Sequence, residues 1–450
     1  LQDTVSVKDF GAVGDGVTDD TAAIQAAIDA SDAVFFPNAT YKITSPIVVN
    51  SGNILRGDNT TIKKFGTTTY SSIDAVFFLE DSGSSVNNVR ISGFNITTDQ
   101  TVPYNAYGVY CIEIQNDNEF DDLKIESVKY GLYFGGGYQL VIRNVLVNAC
   151  YTGVVVDADL TAGASNMTSL YATQLSVSNA GHGYHFNKVI YSSVEGYIFG
   201  VNTTNTDNYT SNETPIGIYT NLCNAMKLHV GAESIVGTVH FSDASYGQLN
   251  IYLAAAGSGE QYLPNASRTT NGLSAAEQAY FSYVSSSWCL VTPQIEVGNA
   301  AWTTPADKTT FVYLGANAHI KFQNGYCNLL TAKLDVSTGA NAAFGWSNEQ
   351  TRFLANYQTT GGNDMFNIGN GLAVHSEVVT FSTSTTEHTI TFPQSFDTVL
   401  FGAATVQRNS STIIGAQIKS ISTSAITFIF ESDVNGYAVN FFVFGIQPTP

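Results

Sequence analysis

The sequence predicts an all-β chain: a right-handed parallel β-helix with an N-terminal capping helix and a C-terminal antiparallel β-sandwich. Three observations predict it. Glycine followed by an alternating strand recurs along the middle of the chain. Hydrophobic residues make up 44% and charged residues only 12%, with 39 Gly, which supplies a continuous core and many turns. After Val378 the repeat gives way to short strands with regular turns, the pattern of a sandwich. The expected divisions are a cap over 1–45, parallel coils over 46–300, an irregular β-rich connector over 301–375 and a sandwich over 376–450.

The cap comes first. Val5–Phe10 reads as a short strand, and Gly11, Gly14 and Gly16 punctuate a tight loop. Thr18, Asp19 and Asp20 provide an N-cap and acidic first-turn residues for a helix. Ile24, Ala27 and Ile28 give that helix one apolar stripe. A strand at Ala33–Phe36, a turn from Pro37 to Thr40 and a strand at Tyr41–Ile43 follow.

Lys8-Asp9-Phe10-Gly11-Ala12, Gly14-Asp15-Gly16 and Asp19-Asp20-Thr21-Ala22-Ala23-Ile24-Gln25 together resemble the N-terminal cap of the pectate-lyase-like β-helix superfamily. The resemblance implies that the helix covers the open end of the coil stack and that Asp15, Asp19 and Asp20 are structural.

In the coils, glycine precedes a strand at Gly108, Gly131, Gly153, Gly183, Gly217 and Gly237, a period near 22 residues stretched by insertions. Alternation points Val109, Leu132, Val154, Tyr184, Ile218 and Thr238 inward, with Cys111, Phe134, Val156, Phe186, Thr220 and His240. Tyr110, Tyr133, Val155, His185, Tyr219 and Val239 then form an outward ridge, the shape of a sugar-stacking platform or of a stabilising side-chain stack. Gly135-Gly136-Gly137 lies one coil before Asp157, which predicts a shallow notch beside a carboxylate. Insertions at Leu160–Asn166 and Val201–Pro215 are placed to wall a cleft.

Hydrolysis of a glycosidic bond needs two carboxyl groups. Asp157, Asp159 and Glu195 are the catalytic candidates, with Asp207 and Glu213 on the long insertion as further acidic contacts. Arg143 and His185 are expected to bind sugar, and Tyr133 and Tyr219 to stack on it. The alternative chemistry is β-elimination at a uronic acid, for which Arg143, Lys188, Tyr133, His182, His185 and Lys227 offer cations and bases. Asp121-Asp122, Gly181-His182-Gly183 and Asn205-Thr206-Asp207 echo polygalacturonase motifs, but in the wrong order and without Arg-Ile-Lys. No phosphate loop, metal-ligand run or serine nucleophile elbow occurs, so neither metal nor cofactor is expected.

A net charge of −19 argues against a nucleic-acid or anionic-membrane partner. Five Cys, an odd number without a CxxC pair, read as small buried residues. The runs from His388 to Thr405, Ile421 to Phe430 and Tyr437 to Ile446 resemble lectin-like C-terminal modules of phage tail fibres. Cap, acidic balance, free Cys and terminal module together resemble a bacteriophage tailspike. That resemblance implies a homotrimer in the virion that binds and depolymerises a bacterial capsular or O-antigen polysaccharide, attached to the phage tail through a module not in this chain. A polysaccharide lyase and a non-catalytic receptor-binding spike are the alternatives.

Overall fold

The structure, a computed structural model, describes residues 4–201 and 216–233, apart from 82–84, 103 and 165, and the strands between 238 and 446 with the turn 422–424. The expected cap is present. The helix Thr21–Ala30 buries Ile24, Ala27 and Ile28, and the turns before it are tied by carboxylates. Asp20 is 1% exposed and accepts from the backbone N–H groups of Val13 (2.5 Å) and Gly14 (3.0 Å). Its side chain thus holds the preceding loop rather than capping the helix. Asp15 accepts from Val17 and Thr18, and Asp19 from Thr21 and Thr44, so all three acids serve structure. Two local expectations change. Only Val5–Ser6 is strand, because the Ser6 and Asp9 side chains close a capping box around the single 3-10 turn Val7–Phe10. The segment Asp15–Asp19 is extended and pairs in parallel with Thr40–Ile43.

Parallel pairing then stacks coil on coil. One file of strands runs Ile47–Val49, Ala75–Leu79, Tyr107–Glu113, through the extended run Asn118–Asp157, then Met167–Asn187 and Ile216–Asn221. A second file runs Ala33–Phe36, Ile54–Lys64, Arg90–Thr98, again through Asn118–Asp157 and Met167–Asn187, then Ser193–Phe199, Lys227–Glu233 and Gln248–Ala255. Neighbouring strands are ~4.8 Å apart, which sets the rise of every coil. The inward rows are as alternation predicts: Val109, Leu132, Val154 and Ile218 are fully buried, as are Cys111, Phe134, Val156 and Phe186. The repeated glycine is steric in origin. A side-chain carbon on Gly131 would collide with Val147 of its own coil and the Gly153 carbonyl of the next.

Register departs from the glycine count at one point. A bulge between Ile216 and Ile218 pairs Tyr219 with His240 rather than with Val239. Parallel pairing also extends past residue 300, through Thr310–Leu314 to Lys333–Val336 and His319–Phe322 to Asn341–Phe344. Backbone pairing persists there without the glycine signature.

Two antiparallel sheets follow. One is Leu372–Thr380, Ala438–Ile446 and Thr398–Gln407; the other is Glu387–Thr391, Ala425–Phe430 and Ala416–Ile421. Val443 from the first and Ile426 and Phe428 from the second are buried, as a sandwich core requires. Cys111, Cys150 and Cys223 are free and buried, and burial pushes the Cys111 thiol up to about 12. Among the described residues, no helix is long and apolar enough to cross a membrane.

Candidate active site

The outward ridge forms, but its rings face one another. Phe78 stacks on Tyr110 at 5.2 Å, and Tyr110 on Tyr133 at 5.6 Å with 7° between planes. With both faces occupied, Tyr110 is only 9% exposed. A second group, Tyr107 and Tyr130, packs beside the first: Tyr107 stacks on Tyr130 at 4.9 Å and meets Tyr133 edge-on at 4.9 Å. Strict alternation assigns Tyr107 and Tyr130 to the interior, since each immediately precedes a repeat glycine. Their contacts with Tyr110 and Tyr133 instead place them outside. This part of the ridge is therefore a stabilising stack, worth ~0.5–1.5 kcal/mol per ring pair beyond the area buried.

The stack breaks at Val155. Above it, His185 stacks on Tyr219 at 4.6 Å, with Val155 paired to His185 and His185 to Tyr219. One valine thus separates the tyrosine stack from the His185–Tyr219 pair, a spacing of two coils or roughly 9.6 Å. Val155, at this gap in the ring stack, is itself buried at 6% exposure. Asp157 sits two residues farther along the same strand, and its charge acts on both Tyr133 and His185.

The carboxylate is held firmly on one side. Asp157 Oδ1 accepts from the backbone N–H of Asp159 at 3.0 Å and from Asn187 Nδ2 at 2.6 Å. Its other oxygen, Oδ2, lies 3.9 Å from His185 Nε2. Asp159 Oδ2 accepts from the same Asn187 amide at 2.8 Å, while its Oδ1 is ion-paired with Lys188. One amide nitrogen therefore brings the two carboxylates together. Asn187 is fixed in turn by Asn221, whose Nδ2 donates to Asn187 Oδ1 at 2.9 Å.

Electrostatics sorts these groups. The Lys188 ammonium, with the Asn187 amide, holds the Asp159 carboxyl below the usual carboxylate range. Burial pushes the His185 imidazole below its ordinary value, opposed by Asp157 and reinforced by His182, so His185 is neutral at pH 7. Burial and the neighbouring tyrosines raise the Tyr133 phenol, which stays a proton donor.

The remaining expected residues are placed differently. The Gly135–Gly137 notch is filled. Thr161, on the insertion after Asp159, donates its hydroxyl to the Ile112 carbonyl and accepts from Gly136 N–H at 2.8 Å. A side-chain carbon on Gly136 would lie 2.7 Å from Ala164 Cβ, so the glycines admit this loop rather than a ligand. The break in the ring stack is at Val155 instead. Glu195 lies in the second strand file, paired with His229. Two left-handed residues, Lys188 and Tyr191, turn the chain between Asn187 and Glu195. Arg143 also lies in the second file, paired with Thr173 and ion-paired with Glu119. Asp207 and Glu213 lie outside the described residues. Asn187, which organises the carboxylates, was not singled out from sequence. Its signal is the register of Asp157, Asn187 and Asn221 at one strand end.

Residues 4–77 match a family described as rhamnogalacturonase A/epimerase, pectate lyase-like. Over 44 residues the chain is 59% identical to mannuronan C5-epimerase AlgE1 of Azotobacter vinelandii, covering 9% of this chain and 3% of that protein. Over 59 residues it is 44% identical to alginate lyase 7 of the same organism, covering 12% and 7%. The chain thus spans a small fraction of these curated relatives. In three dimensions it resembles the gp42 tailspike of Acinetobacter phage vb_AbaP_AS12, with a TM-score of 0.61 at 15% identity, over 96% of this chain and 81% of that one. It also resembles lid-less DFA-IIIase from Arthrobacter chlorophenolicus A6, with a TM-score of 0.51 at 11% identity, over 80% and 99%. The chain shares the parallel β-helix fold with both.

Proposed function

We propose that this chain is a phage tailspike that binds a bacterial capsular or O-antigen polysaccharide and hydrolyses it within the chain, at the gap over Val155. The carrying observation is the carboxylate pair: Asp157 and Asp159 both accept from Asn187 Nδ2, at 2.6 and 2.8 Å. Two carboxylates held on one amide nitrogen are close enough to act on one bond, as the short separation in retaining glycosidases requires. Asp159, kept ionised by Lys188, is suited to stabilise or attack the sugar carbon. Asp157, whose Oδ2 lies 3.9 Å from His185 Nε2, then takes the acid and base role at the leaving oxygen and at water. Tyr133 and Tyr219 border the sugar, and His185 donates or accepts a hydrogen bond beside it.

The tailspike reading rests on the shared fold and the cap match. It carries a homotrimer, attachment to the phage tail through a module outside this chain, and action at the host surface. The electrostatics favours a substrate uncharged at the cleavage point. A uronate would meet two carboxylates, with Lys188 already paired to Asp159. One observation supports β-elimination as the second reading: protonated Tyr133 and neutral His185 flank the same gap. The product decides between them. Hydrolysis should yield new reducing ends without near-ultraviolet absorbance, whereas growth of that absorbance would mean elimination.

A further inference from the structure

Glu195 and Arg143 point to a face of their own. On the second strand file, Tyr197 and Phe199 are 38% and 37% exposed, and Tyr171 on the preceding coil is 53% exposed. Tyr197 pairs with Ser176 on one side and Gly231 on the other, so the ring stands between two small residues. It leans over the glycine: a side-chain carbon on Gly231 would lie 2.9 Å from Tyr197 Cδ2. Two residues earlier in the same strands, Glu195 and His229 are register partners, and both are exposed. An exposed ring laid along bare backbone, beside a hydrogen-bonding pair, has the composition of a small-ligand site: aromatic surface with a few polar groups.

We propose that this face is a second saccharide site, separate from the Asp157 gap, which holds sugar units of the same polymer. The Tyr197 ring carries the apolar face of a pyranose, and Glu195 and His229 hydrogen-bond its hydroxyls. Exposed Glu195 and Lys227 beside the rings argue against a contact between copies of the chain, whose core is rich in aromatics but depleted of charged residues. The proposal rests on the reading that the chain acts on a polysaccharide, but not on hydrolysis as the reaction. A second site on the same rod would keep the long polymer engaged while the first site turns over.

The test uses immobilised bacterial capsular and O-antigen polysaccharides and the full chain carrying Asp157→Asn. Adding Tyr197→Ala, or Gly231→Ala to displace the ring without deleting it, should weaken binding of the recognised polymer at least ten-fold. With Asp157 intact, both variants should cut a short oligosaccharide at the unsubstituted rate. Undiminished polymer binding in both variants, or no binding to any polymer, would overturn the proposal. So would a fall in solution mass on Tyr197→Ala, which would mark the face as a contact between copies. A polymer that is bound but never cut, with the ten-fold loss retained, would overturn hydrolysis and leave the second site standing.

Discussion

Asp157→Asn is expected to lower the cleavage rate by about three orders of magnitude or more while leaving polymer binding within a few-fold, and Asp159→Asn to do nearly the same. The amide keeps the shape but removes a protonatable oxygen, and the hydrogen bonds to Asn187 and the Asp159 N–H remain satisfiable. If the two act as one unit, the double variant should be little worse than either single one. The pH profile adds a sign. Asp159 works ionised and its folded pKa is lowered, so activity limited by it persists below the usual carboxylate range and disappears only as pH falls through that lowered value. Losses of only a few-fold from both substitutions would place the catalytic carboxylates elsewhere.

Lys64→Met is expected to destabilise the coils by about 3–5 kcal/mol, the cost of removing one partner from a buried ion pair. Lys64 is fully buried, its ammonium 2.6 Å from Asp74 Oδ1, and the Asp74 side chain is 9% exposed. Gln100 Nε2 donates to Asp74 Oδ2 at 2.8 Å and its Oε1 accepts from Asn105 N at 2.8 Å, so the network links successive coils at one corner. Lysine removal strands a carboxylate without its counter-charge. Lys64→Met with Asp74→Leu should recover most of the loss, because replacing both partners by apolar groups removes the uncompensated charge. Thermal unfolding of the two variants checks this. Equal loss in single and double variants would mean that the pair contributes packing rather than charge balance.

Local rules made much of this molecule legible. The cap helix follows from Ile24, Ala27 and Ile28 on one stripe, and the inward rows follow from alternation around Val109, Leu132 and Val154. Asp157 and Asp159 are near neighbours in sequence, but their shared amide depends on the register of Asn187. Glu195 was harder. Alternation gives the side of a strand but not the angle between successive strands, and here Lys188 and Tyr191, both non-glycine, turn the chain. The notch was misplaced because missing side chains at Gly135–Gly137 look the same in sequence whether solvent or protein fills the space; Thr161 fills it. The register shift that brings His240 opposite Tyr219 depends on a bulge that no residue type announces. Asn187 became visible as an organiser only when register placed its amide between the two aspartates.

The most direct test of the central claim is the size distribution of purified host-surface polysaccharide after incubation with this protein, beside the Asp157→Asn variant. The unsubstituted chain should rapidly shorten the polymer into oligosaccharides with new reducing ends, and the variant should leave the polymer intact but bound. Polymer that keeps its full length with the unsubstituted chain while binding it tightly would contradict the claim and leave a receptor-binding spike.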